Sequence, residues 1–217
     1  KYEEAGTQAD DLLPMGELMD QTIHFQYAIY YLPTPTSEPM EVFRRLLAAE
    51  ENPPKLMDEI PDQPSTPFVS LHTEPNVQQN YAPPDMQSLK YFGYGLSRTE
   101  AEQLQKSELA CVIDFAHPKA HVWQGLRMAT GLAEALARET GGLLWDEETR
   151  EIFTPDKWHE KRLEGWTGEM PRISRFTVIH AYNSGEYVRT ITLGMAKVGL
   201  PDILVENIVW SQNRQIG

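Results

Sequence analysis

The chain has 217 residues, of which 41% are hydrophobic and 24% charged, with a formal net charge of −13 and a single cysteine, Cys111. That is enough apolar material for one large core or two small ones. No run is apolar enough for a transmembrane helix, and one cysteine excludes an internal disulfide or a cysteine-rich metal site. Residues 1–20 are polar. Thr22–Leu32 then alternates, with Ile23, Phe25, Tyr27, Ile29 and Tyr31 on one side and Thr22, His24 and Gln26 on the other, which predicts a half-buried strand closed by Pro33 and Pro35. Glu38-Pro39 opens a helix whose stripe is Val42, Phe43, Leu46 and Leu47. Asn52–Pro67, rich in Pro, Asp and Glu, reads as a linker; Phe68–His72 is a short strand, and Tyr91–Leu96 a short aromatic strand or turn.

Ser97-Arg98-Thr99-Glu100 matches a capping box, so a short helix follows to about Lys106. Leu109–Ala116 is apolar on both faces except for Asp114, which predicts a central strand covered on both sides. The segment from about His121 to Arg138 carries Val122, Leu126, Ala129, Ala133 and Leu136 along one stripe, and Gly141 suits a helix C-cap. A hairpin over Leu143–Phe153 turns at Asp146–Arg150. Thr154-Pro155-Asp156 starts a helix that carries Trp158 and ends near Gly165. Phe176–Tyr182 and Tyr187–Leu193 pair across Asn183-Ser184-Gly185, and Ile203–Val205 is a last short strand. The pattern gives an α+β fold with a mixed, largely antiparallel sheet, helices packed on one face and two related subdomains, residues 1–88 (acidic, Pro-rich) and 89–217.

Charge is lopsided: residues 1–105 hold 17 acidic against 6 basic side chains, or −11, and residues 106–217 hold 15 against 13, or −2. A surface of that sign repels phosphate, so nucleic acid is excluded and a basic protein partner favoured. His117 and His121 sit four apart, a spacing that can present two metal ligands, but Pro118 between them separates strand end from helix; no metal and no cofactor are expected. Asp114, a carboxylate in an apolar strand, needs a partner, and His180, His117 and Arg189 are candidates. An Asp114–His180 pair suits a general base and equally an ordinary buried pair. Adding Ser184 would make a triad, but its Asn-Ser-Gly setting is a hairpin turn without a nucleophile elbow. Phe92-Gly93-Tyr94-Gly95 lacks the third glycine of a phosphate loop.

Trp145, Trp158 and Trp166 lie near the acidic Asp146-Glu147-Glu148 turn and the basic Lys157, Lys161 and Arg162. Aromatics ringed by mixed charge suit a protein interface, with Ser184 and Glu186 on a neighbouring turn, although core packing has the first claim on Trp145 and Trp158. Trp166, close to Gly165 and Gly168, is expected to be partly exposed.

Thr140-Gly141-Gly142-Leu143-Leu144-Trp145-Asp146 and Ile191–Asp202, within residues 90–210, resemble uncharacterised bacterial α+β domains of unknown function. Some such domains act near secretion systems as adaptors or immunity proteins. The resemblance implies a non-enzymatic protein-binding accessory domain in the periplasm or envelope, with a cytoplasmic location as the alternative, and it carries no catalytic residue. The rivals are a small-ligand or hydrolytic enzyme using Asp114 and His180, and a structural module of a longer envelope protein. The chain begins at Lys1, which leaves a removed signal or anchor open.

Overall fold

A computed structural model describes residues 22–32, 34–164 and 166–209. The polar opening read over residues 1–20 lies outside the described residues. Seven strands form the main sheet: β1 (Thr22–Tyr31), β2 (Lys55–Leu56), β3 (Phe68–Glu74), β4 (Gly93–Tyr94), β5 (Ala110–Pro118), β6 (Gly142–Asp146) and β7 (Glu151–Phe153). Their order is β2-β3-β5-β1-β6-β7-β4, with the two outermost pairs parallel and the rest antiparallel. The fold is α+β, as the alternation of predicted elements required.

The alternation along β1 sends Ile23, Phe25, Tyr27, Ile29 and Tyr31 into the larger core. Two helices close that face, α1 (Pro39–Ala49) and, after three short helices, the long α5 (Val122–Thr140). α5 buries Leu126, Ala129, Ala133 and Leu136, and Gly141 ends it in the left-handed conformation (φ 76°). Gly125 lets the helix sit directly on the end of β5: a Cβ there would stand 2.6 Å from the His117 ring. The tail of this layer is α6 (Pro155–Trp158), which runs into a π-helical turn, His159–Leu163.

The opposite face of the sheet is covered too, but only in part. The three short helices α2 (Val77–Asn80), α3 (Leu89–Phe92) and α4 (Arg98–Leu104) set Val77, Leu89, Ala101 and Leu104 against Ala28, Tyr30, Val112, Leu143, Trp145 and Ile152. α4 starts with the full capping box: the Glu100 N–H donates to Ser97 Oγ (3.2 Å) and the Ser97 N–H to Glu100 Oε2 (2.8 Å). Helices therefore pack on both faces, not on one. A central strand that is apolar on both sides, as β5 is, needs two covers to keep it dry.

The division at residue 88 does not separate two sheets. Both edges of β1 are taken by later strands, β5 and β6, and β3 pairs with β5, so residues from either side of 88 share one sheet. The stretch 91–96, expected as a short aromatic strand or turn, holds both: the end of the one-turn helix Leu89–Phe92, then the two-residue β4. Beyond the sheet come a small hairpin, β8 (Trp166–Thr167) and β9 (Met170–Pro171), and a second sheet of β10 (Val178–Ser184), β11 (Tyr187–Leu193) and β12 (Leu204–Val209) in that order. Phe176 and Val198 anchor this C-terminal part in the larger core, and His180 stacks on Phe92 with ring centres 4.5 Å apart. Among the described residues no helix is long and apolar enough to cross a membrane.

Candidate functional site

Two carboxylate clusters flank β1, one on each face. The first is buried. In the β6–β7 hairpin the register sets Asp146 directly opposite Glu151, an arrangement of like charges that is unfavourable without a cation between them. Arg162, on the π-helical turn, supplies it. Its Nη2 donates to Asp146 Oδ2 (2.9 Å), Glu151 Oε2 (2.7 Å) and Thr149 Oγ1 (3.1 Å), and its Nη1 to the Arg175 carbonyl. Lys197 donates to Asp146 Oδ2 from the far side, and Lys161 to Glu151 Oε1 (2.5 Å). Asp146, Glu151, Arg162 and Lys197 are all fully buried. Phe153, Phe176 and Trp158 wall the guanidinium at 4.9, 5.4 and 5.7 Å from ring centre to Cζ.

Charge balance explains how this cluster survives in a core. Burial by itself raises the carboxyls of Asp146 and Glu151, but Lys197 and Arg162 hold the first, and Arg162 and Lys161 the second, below the usual carboxylate range. Burial pulls Lys197 down to about 8 against the attraction of Asp146, and the like charge of nearby Arg162 adds to the fall. Arg162 itself is held above its ordinary value: burial opposes the charge, and Asp146 and Glu151 outweigh it. With its charges spent on one another and no surface, the cluster fastens the hairpin, the π-turn and the C-terminal segment together.

The second cluster is open. Consecutive residues of β1 point to opposite faces, so Gln26 faces away from the buried ions that its neighbour Tyr27 lies beside. Register aligns Ser70, Asp114 and Gln26 in one row across β3, β5 and β1. Gln26 Nε2 donates to Asp114 Oδ1 (2.7 Å), and Ser70 Oγ donates to Asp114 Oδ2 (3.2 Å), with His72 Nδ1 3.6 Å from the same oxygen. Tyr81 extends the row, its hydroxyl placed to donate to Gln26 Oε1 (2.9 Å) or Glu147 Oε2 (3.0 Å). The Trp145 indole N–H donates to that Glu147 oxygen too (2.6 Å), and Arg150 pairs with the other (2.7 Å).

This row marks where the helical cover of the second face stops. Beyond it a cleft of about 540 Å³ opens between the strands and the loop after β2, lined by His24, Gln26, Asp58, Glu59, Ser70, His72, Asp114 and Glu148. Four of these side chains are carboxylates and none is lysine or arginine. Burial, and then Asp146 behind it, raises the Glu148 carboxyl. Chemically the cleft offers acceptors and negative charge to a cation. Ser70 donates straight to a carboxylate, with no histidine between them, so the order differs from a Ser–His–Asp relay.

The residues singled out from sequence are dispersed. Asp114 bonds to Gln26 and Ser70, while His180 lies against Phe92 with Nδ1 3.2 Å from the Tyr182 hydroxyl and, among the described residues, no hydrogen-bond partner for Nε2, so the two do not pair. Arg189 pairs with Glu206 instead (3.3 Å). Asp146 and Trp158 are fully buried and offer nothing to a surface partner. The Trp158 indole N–H donates to the Thr130 carbonyl (3.0 Å). Trp145 is buried under the second face. Trp166 is half-buried, its N–H donating to the Arg162 carbonyl (2.9 Å) and Arg127 lying over its ring. Glu147 reaches the rim of the open row. Glu186 is exposed in the hairpin turn; the side chain of Ser184 lies outside the described residues. His117 is buried in β5 with Nε2 unpaired, and no group of three or more metal-ligating side chains occurs among the described residues.

Sequence reasoning missed Ser70, His72 and Tyr81 as neighbours of Asp114, and Arg162 and Lys197 as core cations. A signal existed only for Gln26, which falls on the polar side of the β1 alternation. No family model matches the chain, and no match to it was found among curated proteins or solved structures.

Proposed function

We propose that this chain is a non-enzymatic protein-binding domain, of the accessory, adaptor or immunity kind, that takes a basic segment of a partner into the open cleft. The observation that carries the reading is the cleft lining: Asp58, Glu59, Asp114 and Glu148 with no cation among them. An arginine or lysine side chain entering there gains charge-assisted hydrogen bonds to a carboxylate already oriented by Gln26 and Ser70. The acidic first half of the chain steers such a partner from a distance.

Isothermal titration with an arginine-rich peptide tests this. Binding that weakens as salt is raised, and that an acidic peptide of equal length does not reproduce, supports it. Equal affinity for both peptides, or none for either, refutes it.

A hydrolytic or small-ligand enzyme is the second reading, favoured by His72 standing 3.6 Å from Asp114 Oδ2 beside the Ser70 hydroxyl. On that reading His72→Ala abolishes turnover of a small ester or amide while leaving peptide binding intact. The recognition reading expects no turnover to lose.

A further inference from the structure

Eight of the twelve large hydrophobic side chains exposed among the described residues fall within residues 179–209, around the small C-terminal sheet. Clustering of this kind marks an interaction surface rather than the ordinary scatter of apolar atoms over a protein. β12 is its most open element. Among the described residues it has one neighbour, β11, and its successive residues Leu204 (44% exposed) and Val205 (41%) stand on opposite faces, so the strand is apolar and open on both. An edge strand with these properties is a template for another strand.

Charge says which strand. A second copy of a chain carrying −13 is repelled over most of its surface. Residues 178–209 hold three acidic and two basic side chains, close to balance; Lys197 is spent on Asp146, and Arg189 pairs with Glu206 across β11 and β12. Two copies therefore approach here at little electrostatic cost. The sequence of β12 is also compatible with itself. A two-fold axis between Glu206 and Asn207 sets Leu204 opposite Val209, Val205 opposite Ile208, and each Glu206 opposite an asparagine rather than another glutamate. The left-handed Asn207 (φ 58°) interrupts the ladder near the axis, so the contact is short.

We propose that the protein self-associates through β12, two copies pairing their edge strands antiparallel about a two-fold axis into one six-stranded sheet. A contact this short gives a weak dimer, whose population rises with concentration.

Light scattering on the full chain over a concentration series is the test, with the mass expected to rise from one chain towards two. Val205→Lys and Leu204→Lys each set a charged ammonium against an apolar residue of the second copy, Ile208 or Val209, and are expected to hold the protein at one chain, with an unchanged melting temperature because both sites are exposed. Tyr91→Lys, at an exposed site on α3 away from β12, should leave the dimer intact. Hydrogen exchange supplies a second readout that needs no variant: amides of residues 204–209 should slow as concentration rises. A single-chain mass at every concentration, or a dimer indifferent to both β12 lysines, overturns the proposal. Growth beyond two chains would also overturn it, since it means head-to-tail pairing of different edges.

Discussion

Asp146 and Asp114 stand opposite consecutive residues of β1, Tyr27 and Gln26, and their surroundings could hardly differ more. Asp146 lies on the helix-covered face, out of contact with water, held by Arg162 and Lys197. Asp114 lies on the other face at the point where the short helices stop, its side chain 34% exposed and bonded only to neutral side chains, with His72 nearby. A carboxylate whose charge is cancelled by buried cations contributes to structure. One that is oriented by neutral donors and left facing a cleft keeps its charge available for a ligand. Residue type and strand register are nearly the same for the two; cover and counter-charge set them apart.

The largest expected effect that tests this contrast is Arg162→Met. It removes the one side chain bonded to both Asp146 and Glu151, which stand face to face in the core, and removing one partner from a buried ionic group costs about 3–5 kcal/mol. Denaturant unfolding should show that loss; a change below about 1 kcal/mol, the range of an ordinary surface substitution, would mean the buried cluster is not what fastens the C-terminal part. Lys197→Met should cost less, since Asp146 keeps Arg162. An equal or larger loss would reverse the ranking of the two cations.

The next effect is on pH. His117 packs against Phe25 and Gly125, and burial, with His121 and His24 adding to it, pulls its pKa down from the ordinary 6.5 to about 4. The folded state therefore binds this proton less well than the unfolded chain does. Above pH 6.5 the group has no effect; below it the penalty grows and is complete near pH 4, reaching roughly 3 kcal/mol. His117→Leu should flatten the stability profile between pH 6.5 and 4, and a variant that keeps the wild-type slope would assign the acid sensitivity elsewhere.

The smallest expected effect on stability, and the sharpest on binding, is Asp114→Asn. Its unfolding free energy should move by less than about 1 kcal/mol, because the site is part-exposed and the amide can still bond to Gln26 and Ser70. Affinity for an arginine-rich peptide should nevertheless fall about tenfold or more, the scale of one lost charge-assisted hydrogen bond.

What the sequence made legible was local. The β1 alternation, the Ser97–Glu100 box, the α5 stripe and the glycine that ends α5 all act within a few residues, and each appears where it was predicted. What it hid was long-range. Gln26 meets Asp114 across 88 positions, Lys197 meets Asp146 across 51, and Arg162 meets Asp146 across 16. None of these pairs has a spacing signature. Arg162 sits in a run, Lys157–Arg162, that reads as a solvated charged face, and only the π-turn and the hairpin register turn it inward. The second helical cover was hidden too, because α2 and α3 are four residues each and leave no periodicity to detect. Asp114 was recognised as a carboxylate needing a partner, but nothing local could show that its partners would be neutral and its cleft open.

Residue-resolved chemical-shift mapping during titration with an arginine-rich peptide tests the contrast most directly. The account expects perturbations centred on the amides of His24, Gln26, Ser70, His72 and Asp114, with Asp146, Glu151 and Arg162 unmoved. Shifts centred on the buried cluster or on the C-terminal sheet, or none at saturating peptide, would contradict it.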